Sequence, residues 1–432
     1  MSQNLEKSIG LAAGVTYCVT IIIGAGVLAL PGAAYRIAGP NAVLSWLFDL
    51  LLAVPLVYIF SRLIGRVQSA GGIADFVRYA FGNAVLYQFS QVLLVITLFA
   101  GTAAISTVGA EYLGSSLGLG ARGRALLAIF LLAAPTGLNS LGMKVGGTVQ
   151  KVWALLLVVF LLAVIASSLK YWGSAPMVAP GLGNWTDVWQ AMGLIWFAFT
   201  GVEMISFLGE EFRSPRKFIL AITLSFTIVG ILFLGLAIAL SQTTSPADAR
   251  TVASPLVAIL ERTLGARGAW LGGVLGFVLI WINLNGAMLS ASRLIFAVAR
   301  EGLFLPASLA RLNAAKAPAR ALSTLGLGSM LIVGLLYAFE WSTQADFLLV
   351  SQNWFLLYVL SILAFLKVET GKTRRAVGVL ALVVSVIFMR VFSWFLLLPA
   401  VLLLGLWGVR WLSGKGLRHV GSGSSAYKNQ AL

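Results

Sequence analysis

Residues 21–32 read IIIGAGVLALPG. An apolar run that should cross a membrane as one helix is interrupted there by Gly24 and Gly26, with Pro31 and Gly32 close behind. Two glycines around an alanine weaken helix continuity and let a ligand approach bare backbone. A second interruption lies at residues 197–203, FAFTGVE, where Gly201 is followed two residues on by the carboxylate of Glu203.

The surrounding chain sets the meaning of these breaks. Of its 432 residues, 59% are apolar and 10% charged, and mean hydropathy is +0.96. Soluble domains carry about 25% charged residues, so the principal solvent is lipid. Backbone groups in lipid have to be satisfied within the protein, which leaves helices or closed barrels. The runs are long and lack the two-residue alternation of a barrel. We therefore predict an all-α membrane protein of about twelve spans, near 9–37, 41–65, 84–113, 123–139, 145–169, 187–210, 218–241, 268–299, 320–339, 345–367, 375–390 and 393–412. Residues 1–412 read as one membrane domain and 413–432 as a short polar, disordered cytoplasmic tail.

Loop charges give the orientation. With the N-terminus inside, 22 of the 30 Lys and Arg residues fall on the cytoplasmic side and the remaining 8 outside. One missed span would erase that bias, so an even count with both termini in the cytoplasm is expected, in a multi-pass protein of the cell's inner membrane. The formal charge of +16 is spread over short loops, which excludes a nucleic-acid surface. The one cysteine, Cys18, lies inside the first span, so no disulfide-linked accessory subunit is expected. The one histidine, His419, lies in the tail, away from any haem-ligating or catalytic position. No cofactor or metal is implied, and no signal peptide is recognised before the first apolar run.

The breaks fall in spans 1 and 6, five spans apart. Interrupted helices at corresponding points of two halves are the best sequence pointer to a secondary transporter's binding site. They imply two inverted five-helix repeats, 9–169 and 187–367, followed by helices 11 and 12 over 375–412. An unwound segment exposes amide N–H groups at the start of its second half-helix, where the dipole favours a carboxylate. The carbonyls freed at the end of the first half-helix suit an ammonium group. A free zwitterionic amino acid could be held this way without a charged side chain. Close helix packing is the alternative use of Gly24 and Gly26.

At these residues the chain resembles the amino acid–polyamine–organocation superfamily. Gly24-Ala25-Gly26-Val27 with Leu30-Pro31-Gly32 is similar to its first-helix signature. Phe199 to Glu203, followed by Glu210-Glu211-Phe212 and Ser214-Pro215-Arg216, is similar to its sixth helix and following loop. Ser69-Ala70-Gly71-Gly72 with Phe81-Gly82, and Ser290 to Arg293 with Ala299 to Gly302 and Pro306, resemble its second-to-third loop and the end of its eighth helix. The branch suggested is the bacterial methionine and branched-chain amino acid exporters. The resemblance implies a leucine-transporter type of fold and alternating access. By the same resemblance Gly24, Ala25 and Gly26 would meet the substrate carboxylate. The carbonyls of Ile22, Phe197 and Thr200 would meet its amino group, and Phe197, beside Trp196, would be an aromatic gate. The chain departs from the pattern in three places. Ala25 replaces a hydroxyl residue, Leu157 occupies the place of a proton-coupling lysine, and Ala287 occupies that of a bulky aromatic.

Glu203 is the leading intramembrane charge; it serves either as a ligand or as a buried strut. Asp49 and Lys151 are weaker candidates, and Glu111 is expected to face water. Ser351 with Gln352 and Asn353, and Asn283 with Asn285, either line the pocket or cross-link helices. Ser290 and Ser292 keep sodium coupling open. The expected substrate site is thus Ile22, Gly24, Ala25, Gly26, Trp196, Phe197, Thr200, Gly201, Glu203, Ala287 and Ser351, with no catalytic role. The expected substrates are several large neutral amino acids. A cationic amino acid or polyamine carrier with Glu203 as ligand is the alternative. A channel would show charge rings or filter repeats, and a membrane enzyme would show clustered carboxylates, His or Cys beyond Glu210-Glu211. Transport direction, coupling ion and oligomeric state stay open.

Overall fold

The computed structural model describes residues 7–67, 69–174, 176, 184–199, 201–302, 304–341, 343–389 and 397–412. Thr200 and the expected tail 413–432, with His419, lie outside the described residues. Eight described helices are long and apolar enough to cross a membrane. They account for spans 2–5 and 7–10. Spans 1 and 6 are each broken into shorter helices, and spans 11 and 12 are α16 (Lys372–Phe388) and α17 (Leu397–Leu412). The chain is an all-helical membrane protein of about twelve spans.

Span 1 is α1 (Leu11–Ile22) and α2 (Ala25–Ala38), and span 2 is α3 (Ala42–Ile64). A short amphipathic helix, α4 (Ile73–Phe81), precedes span 3, α5 (Ala84–Ser116). Spans 4 and 5 are α6 (Ala121–Ser140) and α7 (Met143–Ser168). Span 6 is α8 (Trp185–Ile195), a 3-10 turn over Trp196–Phe199, and α9 (Val202–Ser206). Span 7, α10 (Pro215–Thr243), starts where capping chemistry dictates: Ser214 accepts from the Lys217 amide at 3.3 Å, and Pro215 takes the first position, where no donor is needed. Two further helices absent from the sequence reading, as α4 is, α11 (Ala249–Ala253) and α12 (Pro255–Leu264), precede span 8, α13 (Ala266–Glu301), and pack on α2 and α13 respectively. Their short length and flanking Pro and Ser gave them no spanning signal. Spans 9 and 10 are α14 (Ala319–Ala338) and α15 (Thr343–Val368).

α13 is the central post. It is buried without interruption from Ile282 to Ala299 and packs against α5, α6, α12 and α14. A helix apolar enough for lipid yet buried on every side belongs in the middle of the bundle. The start of α1 is tied to the end of span 6 by backbone alone: the Ile9 amide donates to the Glu211 carbonyl at 2.9 Å, and the Arg213 amide to the Ile9 carbonyl at 3.0 Å. Cys18 is fully buried in α1. Asp49 is also fully buried, and neither of its oxygens has a hydrogen-bond partner among the described residues.

Ion pairs gather at the ends of the bundle. At one end Arg293 meets Glu211 at 2.6 Å, Arg300 meets Glu210 at 2.5 Å, and Arg78 meets both Asp75 and Glu301 at 3.0 Å. Glu369 there takes Arg62, Arg66 and Arg374 at 3.1, 2.7 and 3.3 Å. At the other end Glu111 meets Arg124 at 2.6 Å and Arg250 meets Glu261. Each of these pairs joins residues that the twelve-span reading puts on one side of the membrane.

The Glu211–Arg293 pair is buried on both sides. Breaking a buried pair from one side leaves an uncompensated charge and costs about 3–5 kcal/mol, whereas replacing both partners by apolar groups costs far less. We predict that Arg293→Met lowers the melting temperature in detergent sharply and that Glu211→Leu added to it restores part of the loss. A double variant no more stable than the single would contradict the charge argument.

Glu369 makes stability depend on pH. Burial works to raise its carboxyl, but Arg62, Arg66 and Arg374 outweigh burial and hold it below its ordinary value of 4.5. A carboxyl lowered in the folded state contributes stability that is fully present above 4.5 and is lost as pH falls through its lower folded value. Thermal melts from pH 7 downward should therefore show an acid-side loss that is smaller in Glu369→Gln. Equal acid sensitivity in both proteins would contradict it.

Candidate functional site

The break in span 1 is a tight turn. The Ile23 amide still donates to Val19, but the Gly24 amide folds back onto the Ile22 carbonyl at 2.9 Å. A continuing helix would have paired the Thr20 and Ile21 carbonyls with the amides of residues 24 and 25. Those carbonyls instead accept from one side chain: Asn283 Nδ2 on α13 lies 2.9 Å from each. Gly24 makes this approach possible, since a Cβ there would lie 2.8 Å from Asn283 Nδ2 and 2.9 Å from Oδ1. The second half-helix, α2, then begins with amides that have no turn before them, and the Gly26 N–H has no hydrogen-bond partner among the described residues.

Span 6 breaks differently. α8 tightens into the 3-10 turn, and Gly201, at φ +122°, opens α9. That backbone conformation favours glycine. Glu203 follows, fully buried. Its Oε1 accepts from the Gly201 amide at 2.7 Å, and its Oε2 accepts from the Tyr358 hydroxyl of α15. The two broken spans touch at the breaks: a Cβ on Gly26 would lie 2.9 Å from Ala198 Cα, and one on Gly201 would lie 3.3 Å from the Ile21 carbonyl oxygen and from Ile22 Cα.

A cavity of about 50 Å³ lies at this contact. Span 1 lines it with Ile21, Ile22, Gly24 and Gly26, and span 6 with Ala198, Gly201, Glu203 and Met204. α13 supplies Asn283 and Ala287, α15 supplies Val350 and Trp354, and α5 supplies Thr97, Leu98, Gly101, Thr102 and Ile105. Of the residues expected from sequence, Ile22, Gly24, Gly26, Gly201, Glu203 and Ala287 come together here. Trp196 is buried but is not among the lining residues, and Ser351 is half-buried beside the lining Val350. Ala25 begins α2 and Phe197 lies in the 3-10 turn; their side chains, like all of Thr200, lie outside what is described. The α5 wall, Val350 and Trp354 were not foreseen, whereas Asn283, expected either to line the pocket or to cross-link helices, does both. Nothing marks α5 in sequence, because its small and apolar residues look like any packed helix. Asn283 carried the ordinary signal of a polar residue in an apolar span.

The polar groups of the lining are mostly committed. Thr97 donates to the Leu93 carbonyl at 2.6 Å, and Thr102 to Leu98 at 2.8 Å. Both Glu203 oxygens are occupied. Among the described residues, groups left to meet a ligand include the Gly26 amide, at a helix N-terminus that favours a carboxylate, and Asn283 Oδ1, an acceptor with no hydrogen-bond partner there that suits an ammonium group. No described lining residue is Lys or Arg. Ser290 and Ser292, weighed for sodium, are engaged elsewhere. Ser290 donates to the Met204 carbonyl; Ser292 donates to Leu289 at 2.7 Å and accepts from the Arg293 guanidinium at 3.1 Å.

Comparison with known proteins gives the family. The chain is 26% identical over 408 residues to the L-methionine/branched-chain amino acid exporter YjeH of Escherichia coli (strain K12), covering 94% of this chain and 96% of that one. It is 27% identical to the uncharacterized amino acid permease YecA of Bacillus subtilis (strain 168), over 93% and 95% of the two chains. It is 25% identical to the branched-chain amino acid permease BcaP of the same organism, over 72% and 70%. The family model described as amino acid permease matches residues 10–407. With two helix breaks meeting at a small cavity, and that match along nearly its whole length, the chain belongs to the amino acid permease family of the APC superfamily.

Proposed function

We propose that this permease carries several large neutral amino acids by alternating access, and that it does so through two inverted five-helix repeats, 9–169 and 187–367. The observation that carries the substrate class is the state of Glu203. A carboxylate that already accepts from the Gly201 amide and from Tyr358 is a poor ligand for a cationic side chain. The remaining wall of Ile22, Leu98, Ile105, Ala287, Val350 and Trp354 is apolar, which suits Leu, Ile, Val or Met. The relatives named for methionine and branched-chain substrates favour the same choice.

The amino acid backbone sits at the break, its carboxylate on the amides that open α2 and its ammonium on Asn283 Oδ1. The cavity, at about 50 Å³, is far below the roughly 300–1,000 Å³ of usual small-molecule sites. Substrate access therefore requires the half-spans around Gly26 and Gly201 to part, which is what alternating access provides. The loop-charge bias supports cytoplasmic termini in an inner membrane.

Two experiments test this reading. In proteoliposomes, each amino acid competes in turn against labelled leucine: the large neutral set should inhibit, and arginine and lysine should not. Inhibition by arginine and lysine alone would make Glu203 a substrate ligand. Discrimination inside the neutral set should be shallow, because one methylene changes binding by about 1–3 kcal/mol. Separately, Gly26→Val should abolish transport while the protein still inserts, since a Cβ there already meets Ala198. Unchanged leucine affinity in that variant would remove the α2 N-terminus from the site.

A further inference from the structure

Between the end of α3 and the start of α10 lies a cleft of about 540 Å³, separate from the substrate cavity. Its charged rim is Arg62 on α3, Arg66 just past the end of α3, and Arg216 on α10, and its wall includes Ile219, Leu220 and Thr223. The charges at the rim do not balance. One buried carboxylate, Glu369, serves Arg62, Arg66 and also Arg374. Arg216 is exposed and has no ion pair or side-chain hydrogen bond among the described residues. No acidic residue lines the cleft. The N-terminus of the 29-residue helix α10 adds positive potential to the same spot.

The wall points to the class of anion. Arg216, Leu220 and Thr223 lie one turn apart on one face of α10. Leu220 is 43% exposed, as is fitting for a residue facing lipid on a helix apolar enough to span. A basic rim at the membrane boundary over an apolar wall that runs toward the bilayer core matches an amphiphile: a phosphate on the guanidiniums, acyl chain along Leu220. A soluble anion would use the rim and leave the wall idle. Basic pockets between spanning helices are where lipid headgroups with negative charge bind. We propose that this cleft is a binding site for the phosphate-bearing headgroup of an anionic phospholipid, which neutralises the surplus charge between spans 2 and 7.

Native mass spectrometry of the purified full chain tests this, with phosphatidylglycerol and phosphatidylcholine of matched acyl chains added in turn. The expected result is retention of at least one phosphatidylglycerol in preference to phosphatidylcholine. Arg216→Gln should weaken that retention about fivefold, the scale of one arginine at a lipid surface. Thr223→Trp, which fills the cleft without changing its charge, should weaken it as well. Arg122→Gln, an exposed arginine at the opposite end of the bundle, should leave it unchanged. Thermal melts of the variants show that each is folded. Equal retention of the two lipids, or phosphatidylglycerol retention unaffected by both cleft variants, overturns the proposal. Stabilisation of the protein by inorganic phosphate or glycerol phosphate to the same degree as by phosphatidylglycerol also overturns it, by making the cleft a soluble-anion site.

Discussion

The double hydrogen bond from Asn283 to the Thr20 and Ile21 carbonyls is the interaction on which this architecture rests. Breaking a helix inside hydrocarbon exposes backbone groups that have no water to turn to, at a cost of several kcal/mol for each one left unsatisfied. One side-chain amide on the most buried helix satisfies two of them at once. It thereby fixes where α1 stops and fastens the break to the central post. The arrangement also orients the amide, because its nitrogen is committed to span 1 and its oxygen is left without a hydrogen-bond partner among the described residues.

The second break is held by a different device. Glu203 folds back onto the Gly201 amide that opens its own half-helix and takes the Tyr358 hydroxyl from span 10. The carboxylate is thus part of the frame that keeps α9 at its angle. This is why an acidic residue beside a substrate cavity does not by itself imply a cationic substrate. The same economy governs the basic end of the bundle. There Glu210, Glu211 and Glu369 each receive guanidiniums from another span, so that few carboxylates join spans 2, 6, 8 and 10. The surplus of arginine left over at the α3–α10 cleft follows directly from that shortage of acids.

Much of this was legible in sequence because lipid imposes a strict grammar. Long apolar runs had to be helices, the glycines around Ala25 marked a break or a close packing contact, and the five-span offset between Gly24-Ala25-Gly26 and Gly201 favoured the break. The cavity does gather Ile22, Gly24, Gly26, Gly201, Glu203 and Ala287. What was hidden has physical reasons. Val350 and Trp354 line the cavity where Ser351 had been named, because a helix turns about 100° per residue and polarity alone does not say which neighbour faces inward. The α5 wall of Thr97, Gly101 and Thr102 carries no distinctive chemistry. Asn283 stood out as polar, but nothing in its local pattern said that its partners lay more than 260 residues away. Helices α11 and α12 were too short to register against the spanning signal.

The most direct test of the central claim is a cryo-EM structure of the protein in lipid nanodiscs with leucine bound. The account predicts leucine density between the two breaks, its carboxylate within hydrogen-bonding distance of the Gly26 amide and its ammonium within reach of Asn283 Oδ1, with Nδ2 still on the Thr20 and Ile21 carbonyls. Leucine bound away from the breaks, or with its carboxylate held by an arginine side chain, would contradict it.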